Sequence, residues 1–328
     1  MTMSVPKTIK AITLAAGKAS VQSIPTPPLR PSYLLIKVHS VALNPSDWKH
    51  IAWSRGAEPF SIVGCDFAGE VVQIGDEVTK SFSVGDKVFG CAHGSNSSEG
   101  YDGIFVEYAA VKGDTTMKLP NNISFEDAST IGLGAITVGQ GLFQKNKGLG
   151  LESPGEGNAN GEWILIYGGS TATGTLGIQF AKLAGYNVIT TASPHNHELV
   201  KSRGADAVFD YKDPSSASKI REFTGNKLRY AWDANGDDAS AKYCAEALSS
   251  EAGGHYGTIG LNKPVRDDIK TTGTIMYTWF NLTEKLVAEG KVVAHPAKVG
   301  NGGLEGVLQG LDDMKNGKVS GQKLVYNL

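Results

Sequence analysis

At 328 residues the chain is longer than one average domain, which sets the expectation of two domains or one large α/β unit. Its 31 Lys and Arg nearly balance its 33 Asp and Glu, so the basic surplus that a phosphate backbone demands is missing and nucleic acid is excluded as a first partner. Hydrophobic residues at 41% and charged ones at 20% describe a globular chain able to bury a core, no run approaches the ~20 apolar residues of a spanning helix, and the opening MTMSVPKTIK lacks the apolar stretch of a signal peptide. The expectation is a protein of a reducing, cytoplasmic setting with no membrane partner. Cys65, Cys91 and Cys244 lie far apart with no C-x-x-C spacing, which excludes a disulfide framework and a four-cysteine zinc. Glycine is the compositional outlier, 41 residues where an average of about 7% would give far fewer. That surplus suggests tight turns and a ligand held by main chain.

In chain order, the first third reads as sheet. Residues 9–14 and 34–38 are apolar, β-branched-rich runs bounded by turn residues, and the proline-rich 24–31 between them reads as a surface connection. Further strands are predicted at 70–75, 86–90 and 105–110, punctuated by Gly-Asp turns, a spacing that suggests a small irregular barrel. A helix is predicted from Ser124, with Asp127 three residues on completing a capping box. The polar, glycine-rich 148–161 has no periodicity and reads as a loop. After it strand and helix alternate: strands at 163–167, 188–191 and 207–209, helices at 176–184 and 197–203. That β-α-β-α-β order is the mark of a doubly wound parallel sheet. Strands at 230–232 and 255–259, helices at 281–290 and 303–317, and a last strand at 323–326 complete the reading.

Strand 163–167 runs directly into Gly168-Gly169-Ser170-Thr171-Ala172-Thr173-Gly174 and then a helix. Strand, glycine turn and helix N-terminus are the context a dinucleotide fingerprint requires, because free N–H groups and the positive end of the helix meet a pyrophosphate there. Thr171 stands where the usual motif has its middle glycine, between the hydroxyls of Ser170 and Thr173. A tight turn in some other α/β protein is the bland alternative. The choice of dinucleotide falls to the end of the next strand, where an NAD site carries an acidic residue about 20 positions on. Residues 192–196 carry none, and Ser193, Asn196, Lys201 and Tyr211 are reachable donors for a ribose 2′-phosphate, so NADPH is the expected cofactor. Ser193 to Asn196 is equally readable as a helix cap.

With a β-rich part first, a nucleotide fold second and a short return segment last, the chain resembles the medium-chain dehydrogenase/reductase superfamily. The resemblance is carried by VALNPSDWK at 41–49, GCDFAGEV at 64–71, VGDKV at 84–88 and the glycine turn. ASPHN at 192–196, FDY at 209–211, GGLEGV at 302–307 and GKVSGQKLVY at 317–326 look like its zinc-independent fungal branch, which includes trans-acting enoyl reductases of polyketide synthases and NADPH-linked alkenal, quinone and aldehyde reductases. The resemblance implies an α/β protein with a GroES-like irregular β-barrel catalytic domain over 1–125, a Rossmann doubly wound parallel-sheet NADP(H)-binding domain over 126–270, and a return segment over 271–328.

It also implies the site. Where zinc alcohol dehydrogenases of the superfamily place a Cys, a His-Glu pair and a second Cys on the catalytic metal, this chain has Asn44, Cys65-Asp66 and Leu133, a poor zinc set, so no metal is expected. Without a Lewis acid, hydride addition to an activated C=C bond is favoured over alcohol oxidation. Asn44 is the candidate beside the nicotinamide, Lys49 the candidate for ribose contact, enolate stabilisation or proton delivery, and the main chain of Leu261 and Asn262 the expected lining of the nicotinamide pocket. Lys49 is otherwise an exposed lysine after an anchoring Trp48, and Asp47 reads as a cap more readily than as a catalyst. Relatives usually carry a longer insertion near Tyr277-Thr278, which leaves substrate size open. The expected activity is NADPH-dependent reduction of enoyl or enal double bonds, with aldehyde or quinone reduction and a catalytically silent nucleotide-binding redox sensor as alternatives. The expected partners are a small electrophile and, as a candidate, a polyketide synthase, with the chain a monomer or homodimer.

Overall fold

A computed structural model of the chain describes residues 5–53, 56, 58–155, 159–251, 253–260, 266–273 and 280–328. Two compact units emerge, one of 1–133, 280–288 and 294–328, the other of 134–279 and 289–293.

The first unit is built around the strand Tyr33–Ala42, which pairs antiparallel with Asp66–Ile74, Tyr108–Lys112 and the last strand, Lys323–Asn327. One strand serves three partners because Tyr108–Lys112 takes Tyr33–Lys37 and the last strand takes Ser40–Ala42, while Asp66–Ile74 pairs along Leu34–Ala42 with register shifts at Leu35/Ile36 and Val38/Ser40. Such bulges bend a strand and raise its twist, which is how a short sheet curls towards a barrel. Lys87–Cys91 and Thr116–Lys118 continue the sheet on one side and Ala297–Gly300 on the other. A second, three-stranded sheet orders Lys18–Pro25, Thr8–Ala15 and Ser61–Ile62. Between the sheets lies a core that includes Ile12, Leu34, Ile36, Val41, Phe67 and Phe105, all fully buried. A helix at Phe125–Ser129 starts where expected, with Ser124 Oγ accepting from the Asp127 N–H at 3.0 Å.

Two strand expectations shift. Lys18–Pro25 is a strand hydrogen-bonded along its whole length to Thr8–Ala15, so the connection begins only after Pro25. Of that strand only Ile24 is buried, which leaves no apolar alternation to find, and Pro25 closes it at an edge, where the missing N–H costs nothing. The strand foreseen at 105–110 begins at Tyr108; Phe105 instead takes the Ile12 N–H on its carbonyl at 2.8 Å, and Val106 bridges to Ala11.

The second unit is a six-stranded parallel sheet in the order Ala207–Phe209, Asn187–Thr191, Trp163–Tyr167, Tyr230–Asp233, Gly254–Thr258, Ile269–Gly273. In chain order this is 3-2-1-4-5-6, the doubly wound dinucleotide-binding arrangement, with its reversal between Trp163–Tyr167 and Tyr230–Asp233. Ligands of such sheets sit beyond the carboxyl ends of the strands at that reversal. Helices Ala172–Leu183, His197–Ser202, Ser216–Phe223 and Asp238–Ala247 connect the strands. Among the described residues no helix is long and apolar enough to cross a membrane.

Candidate functional site

At the reversal, strand Trp163–Tyr167 turns through Gly168, whose φ of +75° only glycine adopts cheaply, into the helix Ala172–Leu183. The turn is pinned from both sides. The Gly168 N–H donates to Thr191 Oγ1 at 2.9 Å, while the Gly168 carbonyl accepts from the Thr171 hydroxyl at 2.8 Å. Thr171, the residue in place of the motif's middle glycine, is the helix N-cap and accepts the Gly174 N–H at 2.9 Å. A Cβ on Gly169 would collide with Thr190 Oγ1, and one on Gly174 with the Gly168 carbonyl, so both glycines are required by close approach. Ser170, Thr171, Ala172 and Thr173 remain half-exposed at the helix mouth, a cradle for an anionic group.

Beyond the next strand, Ser193 opens a 3-10 turn, Pro194–Asn196, without spending its hydroxyl on the cap; Ser193 Oγ donates instead to the Tyr211 hydroxyl at 3.3 Å. Tyr211 is 41% exposed and sits edge-on to Tyr167, at the end of the strand that carries the glycine turn. Of the residues expected at a 2′-phosphate, these two meet. Asn196 is buried, and Lys201 projects from the following helix with its ammonium 3.6 Å from Glu198. Leu261 and Asn262 lie outside the described residues. Asp233, at the end of the fourth strand, is fully buried and accepts from Tyr256 Oη, Ser240 Oγ and the Asn235 and Gly236 N–H groups, which makes it an anchor of the sheet edge.

In the first unit the register assembles a second site. Ala42 pairs with Asp66 on one side and with Val325 on the other, so the last strand brings Lys323 level with Asn44. Asn44 caps the helix Pro45–Ala52, its N–H donating to Asp47 Oδ2 at 2.7 Å. Its side-chain Nδ2 donates to Asp66 Oδ2 at 2.8 Å. The same carboxylate oxygen accepts from Lys323 Nζ at 2.5 Å, and Asp66 Oδ1 accepts from the Leu133 N–H at the start of the helix Gly132–Phe143. Asp66 is fully buried and the Lys323 side chain is 3% exposed.

Asp47 is buried beside this pair. Among the described residues its Oδ1 meets no N–H or O–H donor, and the Cys65 thiol is among the groups beside the carboxyl. Burial, with the charge of Asp66 adding to it, raises the Asp47 carboxyl to about 7. Burial first and the Asp47 charge second push the Cys65 thiol well up, and burial does the same to Cys91. Lys49 is exposed on the same short helix, with its ammonium 5.7 Å from the Trp48 ring centroid.

Two family models match the chain: the alcohol dehydrogenase GroES-like domain over 30–121 and the zinc-binding dehydrogenase over 172–288. A trans-enoyl reductase of Alternaria alternata is 40% identical over 95% of this chain and 96% of its own. The chain belongs to the medium-chain dehydrogenase/reductase superfamily. A second trans-enoyl reductase, from Cochliobolus carbonum, is 50% identical over 77% of this chain and 83% of its own. Among solved structures, the quinone oxidoreductase of Coxiella burnetii superposes with a TM-score of 0.75 at 26% identity over 98% of this chain and all of its own.

A superfamily that holds both zinc-dependent and zinc-independent members poses the metal question, and the residues answer it. A zinc site needs deprotonated thiolates and carboxylates with free lone pairs. Here Cys65 is the one thiol of the set, Leu133 offers no ligand, and both Asp66 oxygens are engaged, one by an ammonium that would repel a dication. Among the described residues no three His, Cys, Asp or Glu side chains gather as a metal cluster. The residues do not fit zinc. The turn Gly168 to Gly174, with its half-exposed helix mouth, has the form that a dinucleotide pyrophosphate fits. Sequence reasoning reached Asn44 and Asp66 through the resemblance but gave Lys323 no role; its only signal is a lysine in a strand otherwise spelled in apolar residues.

Proposed function

We propose that the chain is an NADPH-dependent reductase of activated C=C bonds, acting on an α,β-unsaturated acyl group of the enoyl thioester or enal type. The observation that carries this reading is the Asp66–Lys323 pair standing where a metal-dependent relative needs an open carboxylate. In metal-dependent enzymes alcohol oxidation and the reduction of an isolated carbonyl lean on a Lewis acid, whereas a C=C bond conjugated to a carbonyl accepts hydride at its β-carbon without one. Similarity to trans-enoyl reductases along nearly the whole chain supports the same reading.

Bound NADPH supplies the hydride from its nicotinamide C4. The protein's share is positioning and charge. The turn Gly168 to Gly174 receives the pyrophosphate; Ser193 and Tyr211, with Asn196 and Lys201 nearby in sequence, receive the 2′-phosphate; and the chain through Leu261 and Asn262 lines the nicotinamide. Asn44, its amide nitrogen committed to Asp66, is the side chain assigned to the nicotinamide carboxamide or ribose. Lys49 is then the group left to donate to the carbonyl oxygen on which negative charge develops, or to return a proton to the α-carbon. The proposed setting is the cytoplasm, and a polyketide synthase carrying the acyl chain is the proposed partner.

The test is oxidation of NADPH, with NADH in parallel, against an enal, an enoyl thioester, a quinone and an aldehyde. Turnover of thioester or enal with NADPH supports the reading. Turnover of quinone or aldehyde alone moves the protein to the carbonyl and quinone reductases, and silence on all four with tight NADPH binding makes it a nucleotide-binding protein.

A further inference from the structure

A buried ion pair is a poor device for stability, since a well-packed apolar pair of the same volume often does as well or better. Asp66 and Lys323 are nonetheless placed in the core of the first unit, 257 residues apart in the chain, and the surroundings are shaped to keep them there. Gly132 lets the start of the helix Gly132–Phe143 come close enough for the Leu133 N–H to reach Asp66 Oδ1; a Cβ there would press on that oxygen and on the Gly90 carbonyl. Lys323 Nζ also lies 3.4 Å from the Thr130 carbonyl, so the ammonium is held on two sides. The one acceptor contact that is not used to secure the pair itself goes to the Asn44 amide nitrogen.

We propose that Lys323 is a positioning residue for the reduction: its ammonium fixes Asp66, and Asp66 holds the Asn44 amide in place by its NH2 edge. This inference rests on the proposed placement of Asn44 at the nicotinamide. The Asp66 carboxylate takes the NH2 edge of that amide at 2.8 Å, while the oxygen edge faces the Asp47 N–H in the helix cap. Without the carboxylate, the NH2 edge keeps only the Ala42 carbonyl, 3.5 Å away, and the amide is held less firmly.

The experiment uses the full chain with NADPH and whichever acceptor of the four turns over best, comparing Asn44→Ala, Lys323→Met, Lys323→Arg, the doubly apolar Asp66→Leu/Lys323→Met, and Asn44→Ala/Lys323→Met. NADPH affinity is read by nucleotide fluorescence and folding by the thermal midpoint. Lys323→Met is expected to lower kcat by about 10–100-fold, the usual loss when an outer residue stops orienting a reacting group, with Lys323→Arg recovering most of it. Asp66→Leu/Lys323→Met is expected to regain the thermal midpoint and not kcat. In the Asn44→Ala background, Lys323→Met is expected to cost nothing further in kcat, because the two act through one group. Recovery of kcat together with stability in the apolar double variant, or full additivity with Asn44→Ala, overturns the positioning role. An Asn44→Ala variant with unaltered kcat and NADPH affinity instead removes Asn44 from the nicotinamide, and the failure is then of the underlying reading.

Discussion

Replacing Asp47 by asparagine should change how stability depends on pH, and the change has a definite sign. The Asp47 carboxyl sits fully buried with one oxygen on the Asn44 N–H and the other without an N–H or O–H donor, and burial raises it from 3.8 to about 7. A folded-state value above the unfolded one means that the native state holds a proton the unfolded chain has released. The stabilisation is therefore complete below the unfolded value and is lost as pH rises through the folded one. Carrying a proton from 3.8 to about 7 is worth on the order of 4 kcal/mol at 1.36 kcal/mol per decade. In Asp47→Asn the amide keeps an oxygen for the Asn44 N–H and carries no charge at any pH. The variant should match the native protein near pH 4 and exceed it above about pH 7, by up to ~4 kcal/mol. The assay is urea unfolding followed by fluorescence at a series of pH values, read as the difference between the two proteins. Taking the difference matters because burial lowers His39 in the same unit and lowers His255 to about 4 in the other, and a depressed histidine contributes the opposite slope. Parallel curves between about pH 4 and pH 8 would refute the argument, since they would mean that Asp47 titrates alike in both states.

Ser193→Asp should turn the ratio of kcat/KM for NADPH over NADH towards NADH by about tenfold or more, because a carboxylate about 4 Å from a phosphate is repelled even in a polar setting; an unmoved ratio would place the 2′-phosphate elsewhere. Gly174→Ala sets a methyl against the Gly168 carbonyl and the Gly169 Cα, so the turn must open. It should weaken NADPH binding in a fluorescence titration and cost about 1–3 kcal/mol in unfolding free energy, as overpacking does, and normal binding would deny the turn its role. Lys49→Ala should lower kcat by about 10²-fold, the usual share of a proton donor or charge stabiliser, with little effect on NADPH affinity. Native turnover in that variant would return Lys49 to the solvent.

Local chemistry made much of the protein legible in advance. The run at 163–167 is a strand because its apolar side chains find cover on both faces of a parallel sheet, and the turn after it is readable because two of its glycines answer a local demand: a positive φ at Gly168 and close approach to the Gly168 carbonyl at Gly174. Ser124 announces its helix for the same reason, since a cap is settled within four residues. Other elements gave weaker signals. Lys18–Pro25 is the second strand of a tight hairpin with Thr8–Ala15, but its largely uncovered side chains spell no alternation, and Gly132–Phe143 is a helix despite its glycines because tertiary packing outweighs their propensity.

The sequence by itself determined the dinucleotide turn, the alternation that makes a parallel sheet, and the absence of a cysteine and histidine set for zinc at positions 44, 65, 66 and 133. Only the tertiary structure decided what those positions do instead. Asp66 alone reads as one more strand carboxylate, and Lys323 as one more lysine near a terminus. It takes the antiparallel register of Tyr33–Ala42 with two strands at once to put the lysine, the carboxylate and the Asn44 amide within hydrogen-bond reach. Charge pairing in a core is set by three-dimensional distance and by the exclusion of water, and neither quantity has any local signature along a chain.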